Sequence, residues 1–340
     1  MWDEAERLIE HIKNRGPRKV FYVGKSKDGR YYGRGRISAP KKFIGKKVYI
    51  VTEEELQELS RLLVRLNALK DFFVAFLNSE KCPKMFNIVG ETWNPVTGCI
   101  HNCNYCWARK LALSKLRNSR RYRNGFIPRL NPEEFRKSFK GGIVFVSDMG
   151  DLFNVHVKDE WIMRVIRHIR KFPDTFFLFL TKNPARYQEF IGHFPRNVIL
   201  GTTIETDDDD LYLKHRISSA PIPSRRYKAM KELNWPCKFV SIEPILDFNL
   251  DNFVKWIRDI APFMVYVGYD NYNNKLPEPS LKKTMALIEK LSRFTLVVRK
   301  TIRPAWFESM ESYIDFSKSA KNSNEAGVKQ NVRENKKREV

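Results

Sequence analysis

The chain has 340 residues, with 62 Lys plus Arg against 39 Asp plus Glu and a formal net charge of +23. With 42% hydrophobic and 13% aromatic residues it carries enough apolar surface to build a core, which excludes wholesale disorder. The basic excess points to a polyanionic partner, though spread charge also serves solubility. It is uneven: residues 1–50 carry 14 basic and 5 acidic groups, residues 51–90 carry 5 and 6, and residues 91–150 carry 11 and 4. Apolar runs such as Phe176 to Leu180 are too short to span a bilayer, and the acidic start Met1-Trp2-Asp3-Glu4 lacks a signal layout, so the expected location is the cytoplasm.

Residues 18–51 read as short strands and turns: Arg18 to Val23, a Lys27-Asp28-Gly29-Arg30 turn, Tyr31 to Ile37, and Lys46 to Val51. This small basic β unit is weakly similar to the swapped-hairpin DNA-binding units of prokaryotic transcription and antitoxin proteins. From Glu53 to Leu77 apolar residues recur at helical spacing, from Leu56 and Leu59 to Phe73 and Phe76. Residues 1–86 are therefore expected to form a module of β unit plus helix, either a nucleic-acid-binding module or a solvated β appendage.

Beyond residue 87 apolar strand-like runs alternate with helical periodicity. The runs are Gly142 to Ser147, Thr175 to Leu180, Val198 to Ile204, Phe239 to Ile242, Phe263 to Val267 and Phe294 to Val298. The expected helices are Trp161 to Ile169, Ala185 to Phe194, Arg226 to Leu233, Asn252 to Ile260 and Leu281 to Leu291. Strands this apolar, alternating with helices, predict an α/β fold with a parallel sheet, and six or seven such units favour a full or partial (βα) barrel over residues 87–310. No G-x-G-x-x-G or Walker sequence is present. After Phe316 the chain turns rich in Ser, Asn, Lys and Glu, so 316–340 reads as a disordered basic tail.

Five cysteines do not make a disulfide framework, and three of them crowd into one segment, Cys99, Cys103 and Cys106. A structural zinc site wants four ligands, normally as two separated pairs, and here His101 is the single nearby fourth candidate. Three thiolates in one short loop suit a four-iron cluster in which one iron stays open. The spacing Cys-x3-Cys-x2-Cys, with Tyr105 before the last cysteine, resembles the signature of the radical S-adenosylmethionine superfamily. Trp93 to Cys99, Asp148-Met149-Gly150-Asp151-Leu152-Phe153, Leu180 to Pro184, Leu200 to Glu205 and Ser241-Ile242-Glu243-Pro244 are similar to a phage- and archaea-associated radical-SAM-like family of unestablished substrate, itself distantly similar in general layout to spore photoproduct lyases.

That resemblance implies a partial (βα)6 barrel with a [4Fe-4S] cluster on Cys99, Cys103 and Cys106 in the loop after the first strand. It implies S-adenosyl-L-methionine as cofactor, cleaved reductively to a 5′-deoxyadenosyl radical, and an electron donor such as ferredoxin or flavodoxin. Tyr105, Asp148, Met149, Gly150, Asp151, Thr181, Thr203 and Glu205 are the expected cofactor-binding residues, and Lys182, Glu243 and Tyr269 the expected catalytic ones. Each also suits an ordinary strand-end turn or helix cap, but their recurrence at successive strand ends favours one pocket. Trp107 suits a cluster shield or core. The run Asp207 to Asp210 reads as a solvated loop rather than a cation site. Cys82 and Cys237 are isolated; a hydrogen-donor role is open to Cys237, beside that of a buried thiol.

The leading expectation is an enzyme that repairs or modifies nucleic acid, motivated by the basic N-terminus and by Arg117, Arg120, Arg121, Arg123 and Arg129. The alternatives are radical chemistry on a protein or small molecule, and a nucleic-acid-binding protein in which the cysteines hold a structural metal.

Overall fold

The computed structural model describes residues 89–309 together with the short pairs 18–19 and 47–48. Two compact units are distinguished, Met1–Asn67 and Ala68–Val340. In the first, β1 (Arg18–Lys19) pairs antiparallel with β2 (Lys47–Val48), Arg18 opposite Val48. The helix expected over Glu53 to Leu77, Cys82 and the tail 316–340 lie outside the described residues.

The second unit contains seven parallel strands: β3 (Glu91–Trp93), β6 (Ile143–Val146), β7 (Phe176–Thr181), β8 (Val198–Thr203), β9 (Lys238–Ile242), β10 (Met264–Val267) and β11 (Leu296–Arg299). Their neighbour order follows chain order without a reversal. Right-handed crossovers repeated in one direction place every connecting helix on the same face, so the sheet coils into an arc rather than a doubly wound sandwich. The end strands β3 and β11 do not pair with each other among the described residues, which leaves the barrel partial. Residues on both faces of β6, β8 and β9 are buried, one face under helices and the other in the barrel interior, which is why these strands are apolar throughout instead of alternating.

The helices are α1 (Trp107–Leu113), α2 (Asp159–Ile169), α3 (Tyr187–Phe190), α4 (Asp209–Lys214), α5 (Pro223–Glu232), α6 (Leu250–Ile260) and α7 (Leu281–Ser292). Helix α6 shows how sequence sets one of them. The Asn249 side chain caps its first turn by accepting from the Asn252 amide at 3.1 Å. Phe253, Trp256, Ile257 and Ile260 fall on one face and are buried, and Ala261 at φ 52° ends it before Pro262. No helix among the described residues is long and apolar enough to cross a membrane.

Beyond residue 87 the expected strands and helices are present with ends shifted by at most three residues, with two differences, while the turn and strand expected over Lys27 to Ile37 lie outside the described residues. The edge strand β3 is too short to stand out as a hydrophobic run. The helix expected over Ala185 to Phe194 is instead two 3-10 turns around the four-residue α3. Pro184 starts it, Gly192 interrupts it, and Tyr187 and Phe190 turn onto Phe153 at ring-centroid distances of 4.6 and 6.3 Å.

Candidate active site

The C-terminal ends of the strands open onto a cavity of about 410 Å³. Its lining includes Cys99, Cys103, Tyr105, Cys106, Asp148, Gly150, Asp151, Thr181, Lys182, Thr203, Glu243 and Tyr269. Every expected site residue is therefore on the wall except Met149, which packs with Cys99, Cys106 and Trp107 around Ala108 and Tyr122, and Glu205, which lies behind Tyr105.

The cysteine loop is held from below and from both sides. Trp93, the last residue of β3, is fully buried against Phe135, Phe139 and His168, and its indole donates to the Glu134 carbonyl at 2.9 Å. The following pair, β4 (Val96–Thr97) with β5 (Arg129–Leu130), turns the chain across the mouth. At Gly98, φ is +87° and the amide donates to the Met149 carbonyl at 2.9 Å. A Cβ there would lie 2.0 Å from the Ile127 carbonyl oxygen, so no side chain fits. Gly98→Ala is expected to destabilise the protein by about 3 kcal/mol, read in urea unfolding, through left-handed backbone strain and a clash with backbone.

Asn94 fixes the turn after β6. Its amide donates to Asp148 Oδ1 at 2.5 Å, and its own Oδ1 accepts from the Met149 amide at 3.1 Å. Asp151 is spent internally: Oδ1 accepts from Thr181 Oγ1 at 2.7 Å and the Phe153 amide at 3.0 Å, and Oδ2 from the Lys182 amide at 3.0 Å. His101 Nε2 lies 3.1 Å from the same Oδ2. Burial works to raise the Asp151 carboxyl, but these donors, His101 first, hold it below its ordinary value.

Glu205, just beyond β8, is fully buried and ringed by partners. Oε2 accepts from Arg226 Nη1 at 2.7 Å, and Oε1 accepts from the Tyr105 hydroxyl at 2.5 Å and faces Lys182 Nζ at 3.3 Å. Burial alone would raise its carboxyl; Arg226, Lys182 and the phenol lower it to about 2. The Lys182 ammonium also lies 5.3 Å from the centroid of the Tyr105 ring. Glu205 thus fixes Tyr105, between the second and third cysteines, from beneath. Across the cavity Glu243, which follows β9, pairs with Lys300 at 3.2 Å and accepts from the Ser241 hydroxyl at 3.2 Å. Burial lifts the Glu243 carboxyl above its ordinary value against the pull of Lys300. The Tyr269 hydroxyl is committed to Thr284 Oγ1 at 2.7 Å and the Pro279 carbonyl at 3.1 Å, so its contribution to the cavity is its ring.

Cys99, Cys103 and Cys106 are free and partly exposed. Among the described residues, the group of candidate metal ligands with donor atoms all within 4.8 Å of one another is Cys99, His101 and Asp151. Cys237 is buried just before β9, at the strand end opposite the cavity, roughly 16 Å of extended chain from Ile242. That places it away from the cavity. Of the run Asp207 to Asp210, Asp208 caps α4 by accepting from the Leu211 amide, Asp207 accepts from Asn249 and Asn252, and Asp209 accepts from the Ser224 amide, which accounts for three of these carboxylates without a cation.

Several site residues did not stand out in sequence. Asn94 lies inside the Trp93 to Cys99 motif, and Arg226 at the start of an expected helix, but these and Ser218 looked like ordinary polar positions. Ser241 lies in the Ser241-Ile242-Glu243-Pro244 motif without a role of its own, and Lys300 had no signal, since one lysine among so many carries none.

Fold and site together define an α/β partial barrel with a three-cysteine cavity at its C-terminal strand ends. The chain belongs to the family described as protein of unknown function (DUF5131), which matches residues 84–260. No curated protein matches it. Among solved structures it is similar to spore photoproduct lyase with bound AdoMet and dinucleoside spore photoproduct, at TM-score 0.42 and 10% identity over 65% of each chain. It is also similar to Streptococcus suis SuiB bound to S-adenosylmethionine, at TM-score 0.39 and 12% identity over 74% of this chain and 54% of SuiB. The chain thus spans less than two thirds of the length of either relative.

Proposed function

We propose that the protein is a radical S-adenosylmethionine enzyme of lyase or transferase type that acts on nucleic acid. The observation that carries the reading is the convergence of the three Cys-x3-Cys-x2-Cys thiols on one cavity at the C-terminal ends of parallel strands. Free thiols facing open space suit a [4Fe-4S] cluster, in which each cysteine takes a different iron and the sulfurs need not meet at one point. When bound and reduced, the cluster supplies the electron that splits S-adenosyl-L-methionine into methionine and a 5′-deoxyadenosyl radical, with ferredoxin or flavodoxin as its source.

The chain's own residues prepare for that chemistry. Cys99, Cys103 and Cys106 hold the metal. Asp148, turned by Asn94, and the backbone at Gly150 would accept from the cofactor's ammonium, with Met149 packed behind them, while Thr181 and Thr203 would face its polar groups. Asp151, on the wall, fixes His101 and Thr181, and Glu205, one layer behind, fixes Tyr105. Lys182, Glu243 and the Tyr269 ring face the substrate side, and the apolar walls Phe126, Phe145 and Leu180 exclude water from a reactive intermediate.

The nucleic-acid part rests on charge. Arg117, Arg120 and Arg123, in the segment after α1, are exposed, whereas Arg121 is paired with Glu133 and Glu134 and Arg129 donates to the Arg120 carbonyl. Binding of single-stranded and duplex DNA is expected to weaken steeply with salt. Changing Arg117, Arg120 and Arg123 together to Glu should reduce the log–log salt slope by about 3. Binding that ignores salt, or a slope unchanged in the triple variant, removes this part of the reading.

A second reading, a structural zinc site, is favoured by the proximity of Cys99, His101 and Asp151. It leaves Cys103 and Cys106 unused and asks a carboxylate already engaged by Thr181, His101 and two amides to ligate as well. Metal analysis after anaerobic reconstitution separates the two. About four irons and four sulfides per chain support the cluster; stoichiometric zinc with no iron supports the alternative.

A further inference from the structure

We propose that Ser218 is a positioning residue for the cluster, donating a hydrogen bond to the Cys103 sulfur that raises the cluster's reduction potential. This rests on the cluster reading above and adds a residue on the segment leading into α5, far from the cysteines in sequence.

That segment is laced to the cysteine loop. The Asn104 amide donates to the Ile217 carbonyl at 3.0 Å, and both Ser218 Oγ and the Ser219 amide donate to the His101 carbonyl, each at 2.7 Å. The Cys103 sulfur lies 3.2 Å from Ser218 Oγ, and with the thiol protonated the S–H is the donor. The hydroxyl oxygen also accepts from the Ala220 amide at 3.1 Å, which fixes its position.

A sulfur bound to iron is a thiolate and has no proton to give. The short oxygen–sulfur contact then requires the hydroxyl to turn its one proton from the His101 carbonyl to the sulfur. Two features make that reversal inexpensive. The carbonyl keeps the Ser219 amide as a donor, so it is not left unsatisfied, and the Ala220 amide continues to hold the oxygen in place.

The other two sulfurs are served differently. Cys99 accepts from the His101 amide at 3.4 Å and from the Asn154 side chain at 3.7 Å, and Cys106 from the Arg109 amide at 3.3 Å. The His101 and Arg109 amides belong to the backbone, and the Asn154 side chain, at 3.7 Å, is the longest of these contacts. At Cys103 the donor is a side-chain hydroxyl, so substitution can remove it. A donor aimed at a cluster sulfur favours the more negative, reduced state, and its loss lowers the potential.

The test is an EPR-monitored redox titration of reconstituted full-length protein, Ser218→Ala and Ser218→Thr against wild type. Ser218→Ala is expected to assemble the cluster and be three- to tenfold harder to reduce, about 30–60 mV lower for a one-electron couple. Ser218→Thr, which keeps the hydroxyl, should titrate with wild type. Equal potentials in all three proteins overturn the inference, as does an alanine variant that assembles no cluster, since Ser218 would then be only a structural pin for the loop. A wild-type protein that assembles no cluster overturns the proposed function itself, so the two failures are distinguishable.

Discussion

Anaerobically reconstituted Cys99→Ala, Cys103→Ala and Cys106→Ala should each lose the iron and the charge-transfer absorbance of the wild-type protein, while Cys237→Ala keeps both. Three thiols are the smallest set that holds a four-iron cluster with one iron open, so removing one leaves two irons without protein ligands. Cys237 sits at the far end of β9 and lines no part of the cavity. The zinc alternative gives another pattern, because a site of Cys99, His101 and Asp151 tolerates loss of Cys106. Metal content per chain in the four variants therefore decides between the two chemistries, and iron retained in Cys106→Ala would contradict the cluster.

Arg226→Met should cost about 3–5 kcal/mol of stability in urea unfolding of the metal-free protein, among the largest effects of any single change outside the sheet. Arg226 and Glu205 are both fully buried and bonded at 2.7 Å, and the guanidinium also donates to the Thr203 carbonyl at 2.6 Å while lying 5.1 Å from the Tyr212 ring centroid. Without it, Glu205 keeps Lys182 and Tyr105 but loses the cation that burial makes most necessary. The pH dependence has a definite sign. Glu205 titrates at about 2 in the folded chain against an ordinary 4.5, so its stabilising contribution is complete above pH 4.5 and fades as pH falls toward 2. Arg226→Met raises the folded value toward the ordinary one and should flatten this acid limb of the stability curve. A variant within about 1 kcal/mol of wild type, with an unchanged acid limb, would show that the pair is not the support described here.

The parts of this structure that were legible in sequence are those set by periodicity. Strands β6 to β10 and helices α2, α6 and α7 are apolar in the pattern their burial demands, and their ends fall close to where the runs stop. Strand β3 was hidden because three residues at a sheet edge, one of them Glu91, make no hydrophobic run. Along β7 and β8 the polar residues that end each strand announced the cavity, but not which of them face it. Thr203 and Glu205 are two residues apart, yet one lines the cavity while the other is enclosed by Arg226, Lys182 and Tyr105. That division comes from contacts between residues 105, 182, 205 and 226, which no local pattern encodes. Ser218 was invisible for the same reason, since its meaning lies in a sulfur 115 positions earlier.

The +23 charge of the chain resolves only in part. Of the five arginines after α1 that suggested a polyanion, Arg121 is paired with Glu133 and Glu134 and Arg129 bonds backbone, leaving three at the surface. Elsewhere Arg186, Arg226 and Lys238 are buried and hold carbonyl oxygens, so they build the fold rather than a binding face.

The proposed activity of the three-cysteine cavity is reductive cleavage of S-adenosylmethionine. Its most direct measurement is the release of 5′-deoxyadenosine and methionine from that cofactor by the reconstituted protein under a strong reductant, without oxygen. Equal amounts of the two products, dependent on protein and reductant and absent from Cys106→Ala, are the predicted result. A fully iron-loaded protein that releases neither would contradict the account.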